Sequence, residues 1–206
     1  DIGPCGPCIE IHFDNGTLET QKETYNDKIH GVNGKNQHYV EIWNLVFIQY
    51  ERLQSGKLKP LDNTHVDTGA GLERLCTVIQ NVSSNYDNDL FAPLITKIAK
   101  LSNKPYSNTK EGTPHRVIAD HIRALVVSIA DGITPGNEGK NYVIRRILRR
   151  ASRFANKIGL EKPILYSLVP LVVTSLKDFF PEISQRQDYI SAVIESEGLS
   201  FFLVLT

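Results

Sequence analysis

The sequence predicts an α+β protein in two parts: an antiparallel sheet with a helix over residues 1–90, then an all-helical region over residues 91–206. Three observations carry this. Apolar and polar residues alternate with period two in the first part, the pattern of half-buried strands. In the second part apolar residues recur at helical spacing, and nowhere do strands and helices alternate as a parallel βαβ sheet requires. Charge divides the chain as well: residues 1–92 hold 7 Lys and Arg against 13 Asp and Glu, and residues 93–206 hold 16 against 10. The overall balance of +0 therefore hides a basic second part, the only part suited to a polyanion.

In chain order, Ile9, Ile11 and Phe13 alternate with Glu10, His12 and Asp14, which predicts a strand. Residues 16–37 are polar and read as loop. Residues 39–50 are aromatic and β-branched, a long central strand. Ser55 and Gly56 make a turn, and a short strand leads to Val66. Residues 67–71 read as a small-residue turn opening a helix, whose apolar face is Leu72, Leu75, Val78 and Ile79 and which runs to about Gln80.

Beyond Asn88 the pattern is helical. Thr113 reads as an N-cap with Pro114 at the first helical position. Val117, Ile118, Ile122, Leu125, Val126 and Ile129 form the apolar face of that helix, and Gly132 stops it. Residues 134–137 form a loop, a strong helix covers 140–157, and two more helical stretches lie near 164–178 and 184–202.

The three cysteines, at positions 5, 8 and 76, make no disulfide framework, which points to a reducing, cytoplasmic setting. The longest apolar run, 164–176, is too short to span a membrane and is broken by Pro170. No secretory signal opens the chain. The sequence holds no methionine and starts inside a turn motif, so it reads as a piece of a longer protein.

Two stretches carry the chemistry. VDTGAGLER at 66–74 sets Asp67 and Arg74 on either side of a turn: an acid able to hold an ammonium, and an arginine able to hold a phosphate. The helix over 140–157 places Arg145, Arg146, Arg149, Arg150 and Arg153 within an arc of about 140° at about 100° per residue. No acid lies among them, and Ile144, Ile147, Leu148, Ala151 and Phe154 fall opposite. Guanidinium forks suit phosphates. The plainer alternative is a solvated face whose arginines pair with acids elsewhere in the fold.

Cys5 and Cys8 have the spacing of a redox dithiol, but such a pair needs a helix N-terminus, and here an alternating strand follows. A rigid Gly-Pro turn lining a pocket fits better. A second cysteine pair for zinc is absent. His115, Asp120, His121 and Arg123 form a polar group, yet two histidines six apart do not share a helix face, and ordinary helix polarity accounts for them.

Together the blocks GPCGPCIEI (3–11), EIWNLVFIQ (41–49), VDTGAGLER (66–74), SNYD (84–87), RVIADHIRA (116–124) and NEGKNYVIRRI (137–147) resemble the alanyl-tRNA synthetase family of class II aminoacyl-tRNA synthetases. The resemblance implies the C-terminal part of a class II catalytic domain over 1–90 and a helical tRNA acceptor-stem recognition domain over 91–206. The activity implied is ATP-dependent activation of alanine, with Mg2+, and transfer to tRNA(Ala). Residues 66–74 look like the third class II signature, in which Arg74 and Gly71 would bind ATP, Arg74 neutralising its terminal phosphates. Asp67, buried, would accept the ammonium of alanine; Asn44 and Val46 look like further pocket walls, and Gly69 would keep the pocket short. Asn137 looks like a residue that approaches the G·U pair near the end of the acceptor stem, with the arginine helix on the stem's phosphates.

The chain departs from the family at Ile48 and Ala70, where methionine is usual, and at Lys140 and Asn141, where arginine and glycine are common. The resemblance also places the first two class II motifs before Asp1 and a zinc-bearing editing domain after Thr206, so this chain alone is expected not to activate alanine. A non-catalytic module that binds the tRNA acceptor stem is the alternative, and a thiol oxidoreductase a third reading.

Overall fold

The computed structural model describes residues 2–16, 32 and 38–205. Contacts cluster into two units, Asp1–Asn88 and Asp89–Thr206.

The first unit is a four-stranded antiparallel sheet built around one long strand. Strands β1 (Gly3–Cys5) and β2 (Cys8–Asp14) lie end to end along one edge of β3 (Tyr39–Arg52). The other edge of β3 pairs with β4 (Leu58–Ala70). Between β1 and β2 the chain passes so close to β3 that a Cβ on Gly6 would sit 1.7 Å from Phe47 O. The Phe47 amide donates to Pro7 O at 2.9 Å, so the Gly-Pro turn is part of the sheet. β1 is a strand where the sequence reads as turn, because pairing with the free edge of β3 outweighs the turn propensity of Gly3 and Pro4.

The second correction concerns β4. The sequence reads as a short strand followed by a small-residue turn over 67–71, but the strand is 13 residues long and ends at Ala70. Thr68 explains this: its hydroxyl accepts from Trp43 Nε1 at 2.6 Å and donates to Asn44 O at 2.9 Å. Cross-strand bonding thus holds Gly69 and Ala70 extended against Asn44 and Trp43. The short helix α1 (Leu72–Ile79) follows, with Gly71 at its N-cap. It is tied to the turn Asn85–Asp87 through the buried Asn88, whose amide donates to Glu73 O at 3.1 Å and to Thr77 Oγ1 at 3.3 Å.

The described elements of the second unit are helices: α2 (Ala92–Ser102), α3 (Thr113–Ala130), α4 (Gly139–Lys157), α5 (Val169–Leu176), α6 (Pro181–Gln185) and α7 (Gln187–Leu205). α3 is central, with Ile118, Ile122, Leu125, Val126 and Ile129 fully buried. Leu148 of α4 and Ile190 and Ile194 of α7 complete this core. Thr113 is not the N-cap; Gly112 is, and Thr113 Oγ1 instead accepts from Arg116 Nη2 at 3.1 Å. Gly132 stops α3 as expected, in the left-handed region at φ +86. The stretch near 164–178 divides into a tight turn, Leu165–Leu168, and α5, with Pro170 in its first turn, where a missing N–H costs nothing. No helix among the described residues is long and apolar enough to cross a membrane.

Candidate functional site

Each unit holds one concentration of chemistry. On the sheet, Asn44 lies opposite Gly69 and Val46 opposite Asp67. Directly opposed residues share a face, so the four form a square on one side of the β3–β4 pair. The sequence did not signal that β2 extends this face: Cys8 is paired with Val46, and Glu10 with Asn44. Only the register reveals these two neighbours. On the opposite face Trp43 and Thr68 lock the two strands.

Within this unit the square is open. Asp67 is exposed rather than buried, because within the unit nothing packs over its strand face. Asn44 is half-buried, and its Nδ2 donates to Glu41 Oε1 at 3.2 Å. A Cβ on Gly69 would meet Asn44 Oδ1 at 3.6 Å, so the glycine leaves a methyl-sized space above the strand.

Arg74 stands in the first turn of α1. Its Nη1 donates to Glu41 O at 2.5 Å, while the Gly71 amide donates to Ile42 O at 3.0 Å. Both bonds fix the helix start to the beginning of β3. A Cβ on Gly71 would press on the Arg74 side chain, 3.0 Å from Cδ. The glycine therefore lets the arginine fold back over the helix end. With one of five N–H donors so anchored, the rest of the exposed guanidinium can serve an anion.

Cys5 and Cys8 are free thiols lying in β1 and β2, without the helix N-terminus that activates a redox dithiol. Among the described residues no three His, Cys, Asp or Glu side chains converge.

In the second unit Arg146, Arg149, Arg150 and Arg153 of α4 line an open cavity of about 750 Å³ with an apolar floor of Ile147, Phe154 and Phe201. The five arginines of the helix are not equivalent. Arg149 Nε donates to Glu197 Oε1 at 2.9 Å; Arg145 Nε lies 3.1 Å from the same oxygen, off the line of its N–H, and is an ionic contact. Arg145 Nη1 also donates to Asn137 Oδ1. The plainer expectation of ion pairing thus holds for these two. Arg146, Arg150 and Arg153 pair with no carboxylate among the described residues. Arg146 and Arg150 lie over the rings of Tyr142 and Phe154, at 5.8 and 5.7 Å. Asn137 is exposed just before α4, and Gly139, at φ +52, turns the chain into the helix. Asn141 is helical with no positive φ, so it needs none of the backbone freedom of a glycine.

The polar group on α3 disperses. His115 is buried, with Nε2 3.2 Å from Lys104 O, and burial holds its pKa below the ordinary value. Arg123 lies over the Phe91 ring. His121 alone reaches the arginine cavity, a role the sequence did not reveal. Its Nδ1 is 2.8 Å from Asp120 Oδ2, and its Nε2 is 3.1 Å from Arg150 Nη1. The bond from His121 holds the Asp120 carboxyl below its ordinary range, aided by Arg123 and Arg150.

The family described as tRNA synthetases class II (A) matches this chain over residues 1–206. The alanine–tRNA ligase of Chlorobium phaeovibrioides is 45% identical over 208 residues, covering 100% of this chain and 23% of that protein. Those of Lysinibacillus sphaericus and Bacillus pumilus are each 43% identical, covering 97% of this chain and 23% of their own length. The chain thus spans about a quarter of the length of the curated relatives it matches.

Proposed function

Since the chain belongs to the class II (A) tRNA synthetases, we propose that it is part of an alanine–tRNA ligase, contributing an amino-acid and ATP site from its sheet and a tRNA-binding face from its helices. The observation that carries this is the square of Asn44, Val46, Asp67 and Gly69 on one sheet face, with Arg74 anchored at the end of the same strand pair.

In activation, a carboxylate oxygen of alanine attacks the α-phosphorus of ATP, pyrophosphate leaves, and alanyl-adenylate forms. No protein nucleophile is needed; alignment and charge neutralisation supply the rate. Asp67 accepts the α-ammonium, Asn44 and Val46 wall the side chain, and Gly69 limits its depth. Arg74 neutralises the terminal phosphates that become the leaving group, and magnesium bound to those phosphates would add to that neutralisation. In transfer, a hydroxyl of the terminal ribose of tRNA(Ala) attacks the adenylate carbonyl and AMP leaves. Arg145, Arg146, Arg149, Arg150 and Arg153 hold acceptor-stem phosphates. Asn137 reads the G·U pair from the shallow minor groove, where an amide can donate and accept.

A second reading has its own support. Among the described residues every buried apolar side chain lies at Phe91 or later, so the helical unit holds the packed core. A non-catalytic acceptor-stem binding module would need only that unit. Amino-acid-dependent ATP–pyrophosphate exchange separates the two. The full-length parent should exchange with alanine, and the 206-residue chain alone should not. No exchange with any amino acid by the folded parent would favour the binding module.

A further inference from the structure

The arginines of α4 are held in two different ways. Arg145 and Arg149 are held by the carboxylate of Glu197, which cancels part of their charge as it orients them. Arg150 is held by an imidazole nitrogen. Arg150 Nη1 can only donate, so His121 Nε2 must accept, with its lone pair free and the proton on Nδ1. Asp120 Oδ2, 2.8 Å from Nδ1, accepts that proton and selects this tautomer. The ring is then neutral, and it orients the guanidinium without cancelling its charge.

We infer that His121, set by Asp120, is a positioning residue for RNA binding that aims Arg150 at a phosphate while leaving its charge intact; this rests on the tRNA-binding reading of the helical unit. The surroundings favour the arrangement. The His121 side chain is only 11% exposed, so the lone pair on Nε2 is turned to Arg150 more than to water. The charged groups facing the ring are Asp120 on its own helix and, from α4 across the cavity, Arg146, Arg149, Arg150 and Arg153. A proton on Nε2 would point at the Arg150 guanidinium, with Arg146 and Arg153 adding positive charge to the same cavity and only Arg149 compensated, by Glu197. The Phe154 ring, its centroid 5.7 Å from the Arg150 guanidinium carbon, braces one face of it. One N–H of Arg150 is used by His121, and the others remain for a phosphate.

The test is a set of dissociation constants for a short RNA hairpin duplex, measured by fluorescence anisotropy on the full 206-residue chain. The variants are Arg150→Ala, His121→Ala, His121→Gln and the double variant His121→Ala with Arg150→Ala. Loss of one charge-assisted phosphate contact should weaken binding about tenfold in Arg150→Ala and lower the salt slope by about one. His121→Ala should weaken binding about threefold to fivefold alone and have no further effect in the Arg150→Ala background. His121→Gln, whose amide oxygen can accept from Arg150, should recover most of the loss. The ring nitrogens of 15N-labelled wild type, observed at mildly alkaline pH, should show Nδ1 protonated and Nε2 bare. An equal loss from His121→Ala in both backgrounds, no rescue by glutamine, or a proton on Nε2 would overturn the positioning role and leave the RNA-binding reading standing. Unchanged binding in Arg150→Ala would likewise overturn the positioning role, and failure of the unaltered chain to bind the duplex at all would remove the RNA-binding reading with it.

Discussion

Gly69 faces Asn44 across the strand pair, and a Cβ there would meet Asn44 Oδ1 at 3.6 Å, an ordinary contact. Gly69→Ala should therefore fold normally, with an unchanged melting temperature. It should raise the KM for alanine by about tenfold in exchange by the full-length parent, because a methyl fills the space meant for a methyl. An unaltered KM would place the amino acid elsewhere. His115 belongs to stability instead. Burial lowers its pKa in the folded chain below the ordinary 6.5, so on acidification the unfolded chain takes up the proton first. Stability should be level above about pH 6.5, fall as pH drops from there toward the folded-state value, and level off again below it. Denaturant melts between pH 8 and 5 read this directly. His115→Phe should flatten the fall, at a cost of about 1 kcal/mol for the lost contact to Lys104 O. Asp120, also lowered, acts in a more acidic window: its contribution is present above its ordinary 3.8 and is lost as pH falls through its folded value. Its side chain is 53% exposed, so solvent screening keeps that contribution small.

At the scale of elements, α4 joins a core face to a charged one, and Glu197 of α7 sets how much charge that face presents. Glu197→Gln keeps an acceptor for Arg149 and removes the carboxylate. RNA affinity should rise about twofold to threefold with a steeper salt dependence, while thermal stability falls slightly; weaker binding would mean that orientation by Glu197 outweighs its charge. Much of this element was legible beforehand, because helical periodicity is a local property. The arc of arginines, the buried Ile144 and Leu148, and the stop at Gly132 all follow from spacing. What was not legible depends on contacts distant in sequence. β1 and the last residues of β4 are strands only because β3 pairs with them, against the local propensities of glycine and proline. Cys8 and Glu10 join the sheet face through a register that no local pattern encodes. Glu197 and His121 reach the arginines from 48 and 29 residues away, and helical spacing on α4 cannot show either.

At the scale of the whole chain, burial is unequal. The fully buried side chains Ile118, Ile122, Leu125, Leu148 and Ile194 all lie in the helical unit, whereas Ile9, Ile11, Trp43 and Val66 of the sheet are exposed. Each fully buried aliphatic side chain contributes about 1.5–3 kcal/mol, so hydrogen exchange should find the amides of α3 the slowest and those of the sheet faster. Equal protection in both units would contradict this. Leu148→Ala, by opening a cavity in that core, should cost about 3 kcal/mol. The sheet nonetheless carries the proposed chemistry, and Asp67 is its one carboxylate in the square with Asn44, Val46 and Gly69. The decisive measurement is alanine-dependent ATP–pyrophosphate exchange by the full-length parent carrying Asp67→Asn, beside the unaltered protein. Exchange should fall at least about a hundredfold with the fold intact, since the ammonium loses its counter-charge; undiminished exchange in the variant would contradict the assignment of the sheet square as the alanine site.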